Sequence, residues 1–224
     1  VDPVSLANDP QSDARFGAAL AAGHFYDDTG PLDLAIGEPD ADLAGQSAAG
    51  RVIVLDLDPV PAPPFVPQSL RTYNQALSLP GTGAETGDRF GLALAAGDFD
   101  ADGYDELAIG VPHENLDLGP EGAFADAGLV HLYYGSSAGL QSGPVSTLDS
   151  RTQNDQTAIG QRFGWAVAFG RFDGTARDNL AVGAPRRAYA SYVTGVANEA
   201  EAGLVYIVAP WRQARSLPHR GSVV

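Results

Sequence analysis

The sequence contains no cysteine and no methionine, and its thirteen basic residues are all arginine. The lack of cysteine excludes a disulfide scaffold, a thiolate metal site and a cysteine nucleophile, while leaving the redox compartment open. Positive charge is scarce: 13 basic residues stand against 28 acidic ones, a formal net charge of −15. Such a chain is a poor partner for nucleic acid, whose phosphates need clustered cations, and for an anionic membrane surface. No apolar run approaches the roughly 18 residues of a membrane span, so direct membrane insertion is not expected, and no basic-then-apolar signal peptide opens the chain. The first residue is Val1, read as a processing site or the edge of a fragment. Helical periodicity of apolar positions is missing as well. What is present is a foldable composition, 224 residues with 44% hydrophobic and 18% charged, outside the range of disordered chains.

The chain repeats itself. Arg15-Phe16-Gly17, Arg89-Phe90-Gly91 and Arg162-Phe163-Gly164 recur 74 and 73 residues apart. Each precedes a short run of small apolar residues, as in Leu92-Ala93-Leu94-Ala95-Ala96-Gly97, which reads as a strand. After an acidic turn comes a second run closed by Gly-x-Pro: Gly37-Glu38-Pro39, Gly110-Val111-Pro112 and Gly183-Ala184-Pro185. Proline there ends the ladder, because it has no donor for the next bond. Third strands follow at Ala49–Leu55, Ala127–Tyr134 and Ala202–Val208, and weaker fourth ones at 69–79 and 145–151. Four short strands per repeat describe one twisted antiparallel sheet, and radial stacking of such sheets gives an all-β propeller. The expected units are 12–79, 80–151 and 152–210, with 211–224 a C-terminal tail or the start of a fourth strand, all within one propeller segment spanning 1–224.

The Phe-Gly, the acidic turn and the Gly-x-Pro together resemble FG-GAP repeats, the blades of the integrin alpha-subunit head and of many secreted bacterial proteins. The resemblance spans about residues 12 to 210. It implies blades of a ring that usually has seven, with extracellular or cell-surface adhesive and ligand-binding duties. Three blades fall short of the 4–8 with which propellers close, so the expected partners include further blades or further copies of the same protein.

The strongest chemical signal is Asp98-Phe99-Asp100-Ala101-Asp102-Gly103-Tyr104-Asp105-Glu106. Carboxylates stand at positions 1, 3, 5 and 9, with glycine at the sharp turn. Alternate residues of a tight loop can turn several oxygens inward toward Ca²⁺, which takes six to eight of them. Position 12 is Ile109 in a strand, which excludes an EF-hand and matches the FG-GAP type. Asp98, Asp100, Asp102, the Tyr104 carbonyl and Glu106 are therefore assigned to Ca²⁺. The same register in the first copy holds Asp27, Asp28 and Asp33 around one inserted residue, a weaker second candidate. In the third copy it reads Arg171, Asp173, Thr175, Arg177 and Asn179, with Arg171 expected to pair with Asp173 in place of a metal.

Other patterns carry less. Gly135-Ser136-Ser137-Ala138-Gly139 fits the nucleophile-elbow pattern, but Leu140 to Pro144 does not start the helix that elbow requires, so a turn between strands is expected. His113-Glu114 reads as a solvated loop. Recognition is expected in the long connections 38–48, 113–126 and 186–201, with 80–88 and 152–161, because loops on a rigid scaffold commonly carry it. Arg186, Arg187, Tyr189 and Tyr192 form a candidate contact patch. The functional expectation is a non-catalytic, calcium-binding propeller module for adhesion or for a protein or glycan ligand. The alternatives are an assembly subunit joined through open blade edges and an accessory domain of a secreted hydrolase.

Overall fold

The computed structural model describes residues 11, 13–26, 30–57, 69–75, 83–117, 122–144, 146–153, 155, 157–187, 203–210 and 212–217, the last segment by its backbone. The first sheet runs β1 (Ala19–Gly23), β2 (Asp33–Glu38), β3 (Arg51–Asp56) and β4 (Ser69–Tyr73). The second has β5 (Ala93–Gly97) and β6 (Glu106–Val111). A small hairpin of β7 (Leu116–Asp117) and β8 (Ala123–Phe124) follows, and then β9 (Leu129–Tyr133) and β10 (Ser146–Leu148) complete the sheet. The third comprises β11 (Ala166–Gly170), β12 (Asn179–Ala184), β13 (Leu204–Ala209) and β14 (Arg212–Leu217). In each sheet the strands are antiparallel and lie in chain order, with the β7–β8 hairpin standing apart. β14 occupies the segment read from sequence as a tail or the start of a further strand. These are blades of a β-propeller.

The register repeats as the motifs do. Ala19 faces Gly37, Ala93 faces Gly110 and Ala166 faces Gly183, so the Gly-x-Pro glycine always sits opposite the start of the inner strand. The inner strands β1, β5 and β11 are neighbours, which explains their small residues. A Cβ on Gly23 would stand 2.8 Å from the Ala96 Cβ, and one on Gly97 would stand 2.5 Å from the Phe169 Cβ.

Sheets stack through apolar faces that alternation along the strands supplies. Ala35, Val52 and Val54 of the first sheet meet Leu107, Ile109 and Tyr133 of the second. On the far face of the second, Ala108, Val130 and Leu132 meet Leu180, Val182 and Tyr206 of the third. Phe90 and Phe163 are wedged into these two joints and are wholly buried. Their backbones also dock: the Phe90 N–H donates to the Ala49 carbonyl and the Phe163 N–H to the Ala127 carbonyl, both at 2.9 Å. The glycines make room for this approach. A Cβ on Gly37 would fall 2.2 Å from the Gly91 oxygen, and one on Gly110 would fall 2.1 Å from the Gly164 oxygen.

The arginine before each Phe-Gly has a positive φ, 55°, 59° and 57° at Arg15, Arg89 and Arg162, a conformation unfavourable for a long side chain. Ion pairs hold two of them to the preceding blade, Arg89 to Asp40 at 3.2 Å and Arg162 to Asp126 at 3.8 Å. Arg15, at the start of the first blade, also reaches Asp40.

Candidate metal centre

The β5–β6 turn holds the acidic loop. Antiparallel order places it at one end of the blade and the β6–β9 connection at the other. Within the turn, the Asp102 N–H donates to Asp100 Oδ1 at 3.1 Å and the Tyr104 N–H to Asp102 Oδ1 at 2.9 Å, while Gly103 takes φ 95°. These local bonds curl the loop back on itself. Asp98, Asp100 and Glu106 then each present an oxygen within 4.8 Å of the others, the one such trio among the described residues. Oxygens bound at about 2.3–2.6 Å from one Ca²⁺ lie within roughly 5 Å of one another, so this spacing fits.

Two further observations bear on the fit. Asp98 Oδ1 is buried without a hydrogen-bond partner, an arrangement that costs free energy unless something satisfies it. Burial also raises the pKa of all three carboxyls: Glu106 is pushed up to about 8, and Asp98 and Asp100 move upward too, Asp100 with help from the charge of Asp102. A divalent cation would reverse that direction, because it favours the charged forms. Asp102 stands outside the trio on the exposed side of the loop, and Tyr104, whose carbonyl is the expected backbone ligand, is half-buried.

Glu106 does more than offer an oxygen. Its Oε2 accepts from the Phe99 N–H at 2.7 Å and the Asp100 N–H at 3.3 Å. The equivalent residue does the same elsewhere: Asp33 Oδ2 accepts from Phe25 and Tyr26 at 3.1 and 3.2 Å, and Asn179 Oδ1 from Phe172 and Asp173 at 3.0 and 3.2 Å. The ninth position is therefore a cap that ties the start of the loop to its end, with or without a metal. Of the first-copy candidates, Asp33 is buried and spends its second oxygen on the Leu57 N–H at 3.1 Å. Asp27 and Asp28 lie outside the described residues.

The third loop corrects one expectation. Arg171 pairs with Asp178 at 3.7 Å rather than with Asp173. Asp173 instead accepts from the Thr175 N–H and hydroxyl at 2.9 and 2.7 Å and from Asn179 Nδ2 at 3.2 Å. A backbone N–H, a hydroxyl and a neutral amide thus hold the Asp173 carboxylate, and the mostly exposed Arg171 pairs with its other loop neighbour.

Sequence reasoning missed a link between neighbouring loops. His24 and Asp105 bond reciprocally across the first joint: the His24 N–H donates to Asp105 Oδ2 at 2.8 Å, and the Asp105 N–H to the His24 carbonyl at 2.9 Å. Across the second joint, the Asp178 N–H donates to the Asp98 carbonyl at 3.0 Å. Both linking aspartates are eighth in their loops and both are bonded to the first residue of the loop before. The recurrence of Asp at that position was the available signal.

At the opposite end, Arg187 of the expected contact patch is not free for recognition. It forms a bidentate pair with Asp155 at 2.9 and 3.2 Å, and the Tyr206 hydroxyl donates to the same carboxylate at 2.6 Å. Arg186 is exposed, and Tyr189 and Tyr192 lie outside the described residues. His113 is drawn inward, 3.1 Å from Asp126 through Nδ1 and edge-on to Trp165. Beside it, Glu114 and Asp88 are buried. Glu114 accepts from Gln75 Nε2 at 2.5 Å, and desolvation raises its pKa to about 8 and that of Asp88 to about 7. The Gly135–Gly139 segment is a turn, closed by Gly139 N–H to the Ser136 carbonyl at 2.7 Å.

Comparison with known proteins gives the second of these blades a family. The FG-GAP repeat matches residues 90–133, from the Phe-Gly wedge through β5, the acidic loop and β6 to the end of β9. Residues 90–133 are an FG-GAP repeat. Phosphatidylinositol-glycan-specific phospholipase D of Rattus norvegicus is 30% identical over 173 residues, which cover 77% of this chain and 19% of that protein. Integrin alpha-PS2 of Drosophila melanogaster is 33% identical over 176 residues, 75% of this chain and 11% of that one. Integrin alpha-PS3 of the same fly is 36% identical over 103 residues, 45% of this chain and 8% of the relative. The chain thus spans less than a fifth of each of these relatives.

Proposed function

We propose that this FG-GAP propeller segment is a calcium-braced, non-catalytic binding module that works outside the cell, in adhesion or in capture of a protein or glycan ligand. The observation that carries the calcium half is the convergence of Asp98, Asp100 and Glu106 around a buried, unpartnered Asp98 oxygen. When bound, the ion neutralises carboxylates that otherwise repel one another, and its work is structural. Glu106 holds the loop's first residues by their N–H groups, so the site is shaped from the loop's own backbone. The binding half is supported by the likeness to integrin alpha chains. It is supported too by the strand topology, which starts the connection after each second strand at the end of the blade opposite the acidic loop, and loops on a rigid scaffold commonly carry recognition.

Thermal melting of the chelated protein against calcium tests this. At about 100-fold excess over Kd, a ligand specific to the folded state adds about 2.7 kcal/mol, or about 5–10 °C for a chain of this size. Asp100→Asn keeps an acceptor for the Asp102 N–H but removes the charge, and is expected to abolish the shift. A shift that survives Asp100→Asn refutes the ligand assignment.

A further inference from the structure

The two joints differ at the end of the blades opposite the acidic loop. After its Gly-x-Pro the first blade has Asp40, which pairs with Arg89 at 3.2 Å. The second blade has His113 in that place, so Arg162 turns to Asp126 in a looser pair at 3.8 Å. Its Nε is a buried donor without an acceptor, which a protein interior ordinarily avoids. The guanidinium instead lies 5.3 Å from the ring centre of Trp165. The residue after Phe-Gly is Ala18 in the first copy and Leu92 in the second, so the indole is peculiar to the third. It is 39% exposed, and His113 stands edge-on to it at 5.9 Å.

The polar groups around this indole are of both kinds. Arg162 offers N–H donors, and the Asp126 side chain, 41% exposed, offers acceptors. His113 brings Nδ1 to 3.1 Å from the same carboxylate, which can only accept, so the proton sits on Nδ1. Burial lowers the His113 pKa despite Asp126, and the charges of Arg162 and Arg89 act in the same direction as burial, so the ring is neutral at pH 7. The groups flanking the indole therefore carry one positive and one negative charge. A ligand carboxylate here would meet Asp126, and a ligand ammonium would meet Arg162. Hydroxyl groups, which donate and accept, suit both. A pyranose carries them around its rim and presents C–H groups on its faces, the apolar surface that an exposed indole takes.

We propose that Trp165, Arg162 and Asp126 form a binding site for an uncharged pyranose of a glycan, the sugar lying against the indole with its hydroxyls between guanidinium and carboxylate. His113 is a positioning residue that holds Asp126. The inference rests on the reading of the segment as a binding module and names the class of ligand that module takes. All four residues belong to the joint between the second and third blades, so the site is complete whatever number of blades the ring contains.

Tetrasaccharides of glucose, mannose, galactose and N-acetylglucosamine, titrated to millimolar concentration into the calcium-loaded chain, test this. The chain has two tryptophans, so Trp211→Phe leaves the emission of Trp165 alone. At least one saccharide is expected to shift that emission saturably, and calorimetry on the unaltered chain to give the same Kd. Trp165→Ala, which puts the residue of the first copy into the third, is expected to weaken binding about tenfold. Arg162→Lys keeps the charge but removes the planar fork, and should weaken it too. Phe172→Ala, at an exposed aromatic near the other end of the third blade, should leave it unchanged, and melting of each variant checks that it folds. No response to any of the four saccharides overturns the proposal, as does binding that Trp165→Ala leaves intact. Tighter binding of trigalacturonate or of a tetraglutamate peptide overturns the uncharged sugar. Melting with and without calcium keeps this inference apart from the reading beneath it: a calcium shift without a saccharide response removes the sugar site alone, and saccharide binding that ignores Trp165→Ala leaves a module that binds elsewhere.

Discussion

Gly110 and Gly183 stand at the same place in successive blades, yet adding one methyl group to each should have opposite effects. At Gly110 the new Cβ would lie 2.1 Å from the Gly164 oxygen and 3.3 Å from the Ala93 Cβ. Carbon and oxygen need more than an ångström beyond that, and the obstacle is backbone in a turn where Gly164 has φ 87°, so the joint itself must open. Overpacking of this kind costs about 1–3 kcal/mol, set against about 0.4–1 kcal/mol gained by restricting the unfolded chain. The net expectation for Gly110→Ala is a loss of about 1 kcal/mol. For Gly183→Ala the nearest atom is an ordinary 3.6 Å away, so the entropic gain stands alone and the variant is expected to be about 0.4–1 kcal/mol more stable. Urea denaturation at fixed calcium measures both. A midpoint for Gly110→Ala within error of Gly183→Ala would refute the close approach on which the joint is built.

Two further outcomes are expected. Asp105→Ala removes the carboxylate that holds the His24 N–H while leaving Asp98, Asp100 and Glu106 in place. Calcium is therefore expected to slow amide exchange around residues 24–26 in the wild type but not in the variant, with calcium affinity changed by no more than about threefold; calcium-dependent protection of that segment in the variant would contradict the link. Asp88 and Glu114 have folded pKa values raised by burial to about 7 and about 8, so the native state holds protons that the unfolded chain has released. Their contribution is fully present below the unfolded pKa near 4 and is lost as pH rises through about 8. Replacing Glu114 with Gln, which cannot titrate, should flatten the decline in stability between pH 5 and 8.5 by up to about 1.4 kcal/mol per pH unit, and equal slopes for the two proteins would rule that out.

The blades were legible because the repeat is written in residues with narrow uses. Phe-Gly marks the wedge, runs of alanine mark strands crowded at the axis, and Gly-x-Pro marks the close approach and the end of a ladder. The acidic loop was legible for the same reason, since carboxylates at alternate positions around a glycine have few other uses. What stayed hidden were bonds between segments far apart in sequence. His24 bonds to Asp105 and Arg187 to Asp155 because the joint between blades and the packing of the turns bring them together, and nothing in their local sequence states it. The capping role shared by Asp33, Glu106 and Asn179 was hidden differently: three residue types do one job with one oxygen, and a reading tuned to metal ligands counts only the charged ones.

The position of the acidic loop in the order of blades has a consequence for how the chain comes apart. In stacked repeats, stability is a sum of each unit's own and its nearest-neighbour terms. The second blade has a neighbour on both sides, and its loop is bonded outward in both directions, through Asp105 to His24 and through Asp98 to Asp178. An ion bound there is paid for once and felt by three blades. Without it, cooperativity along the row weakens at its centre, and the blades on either side become free to fray independently.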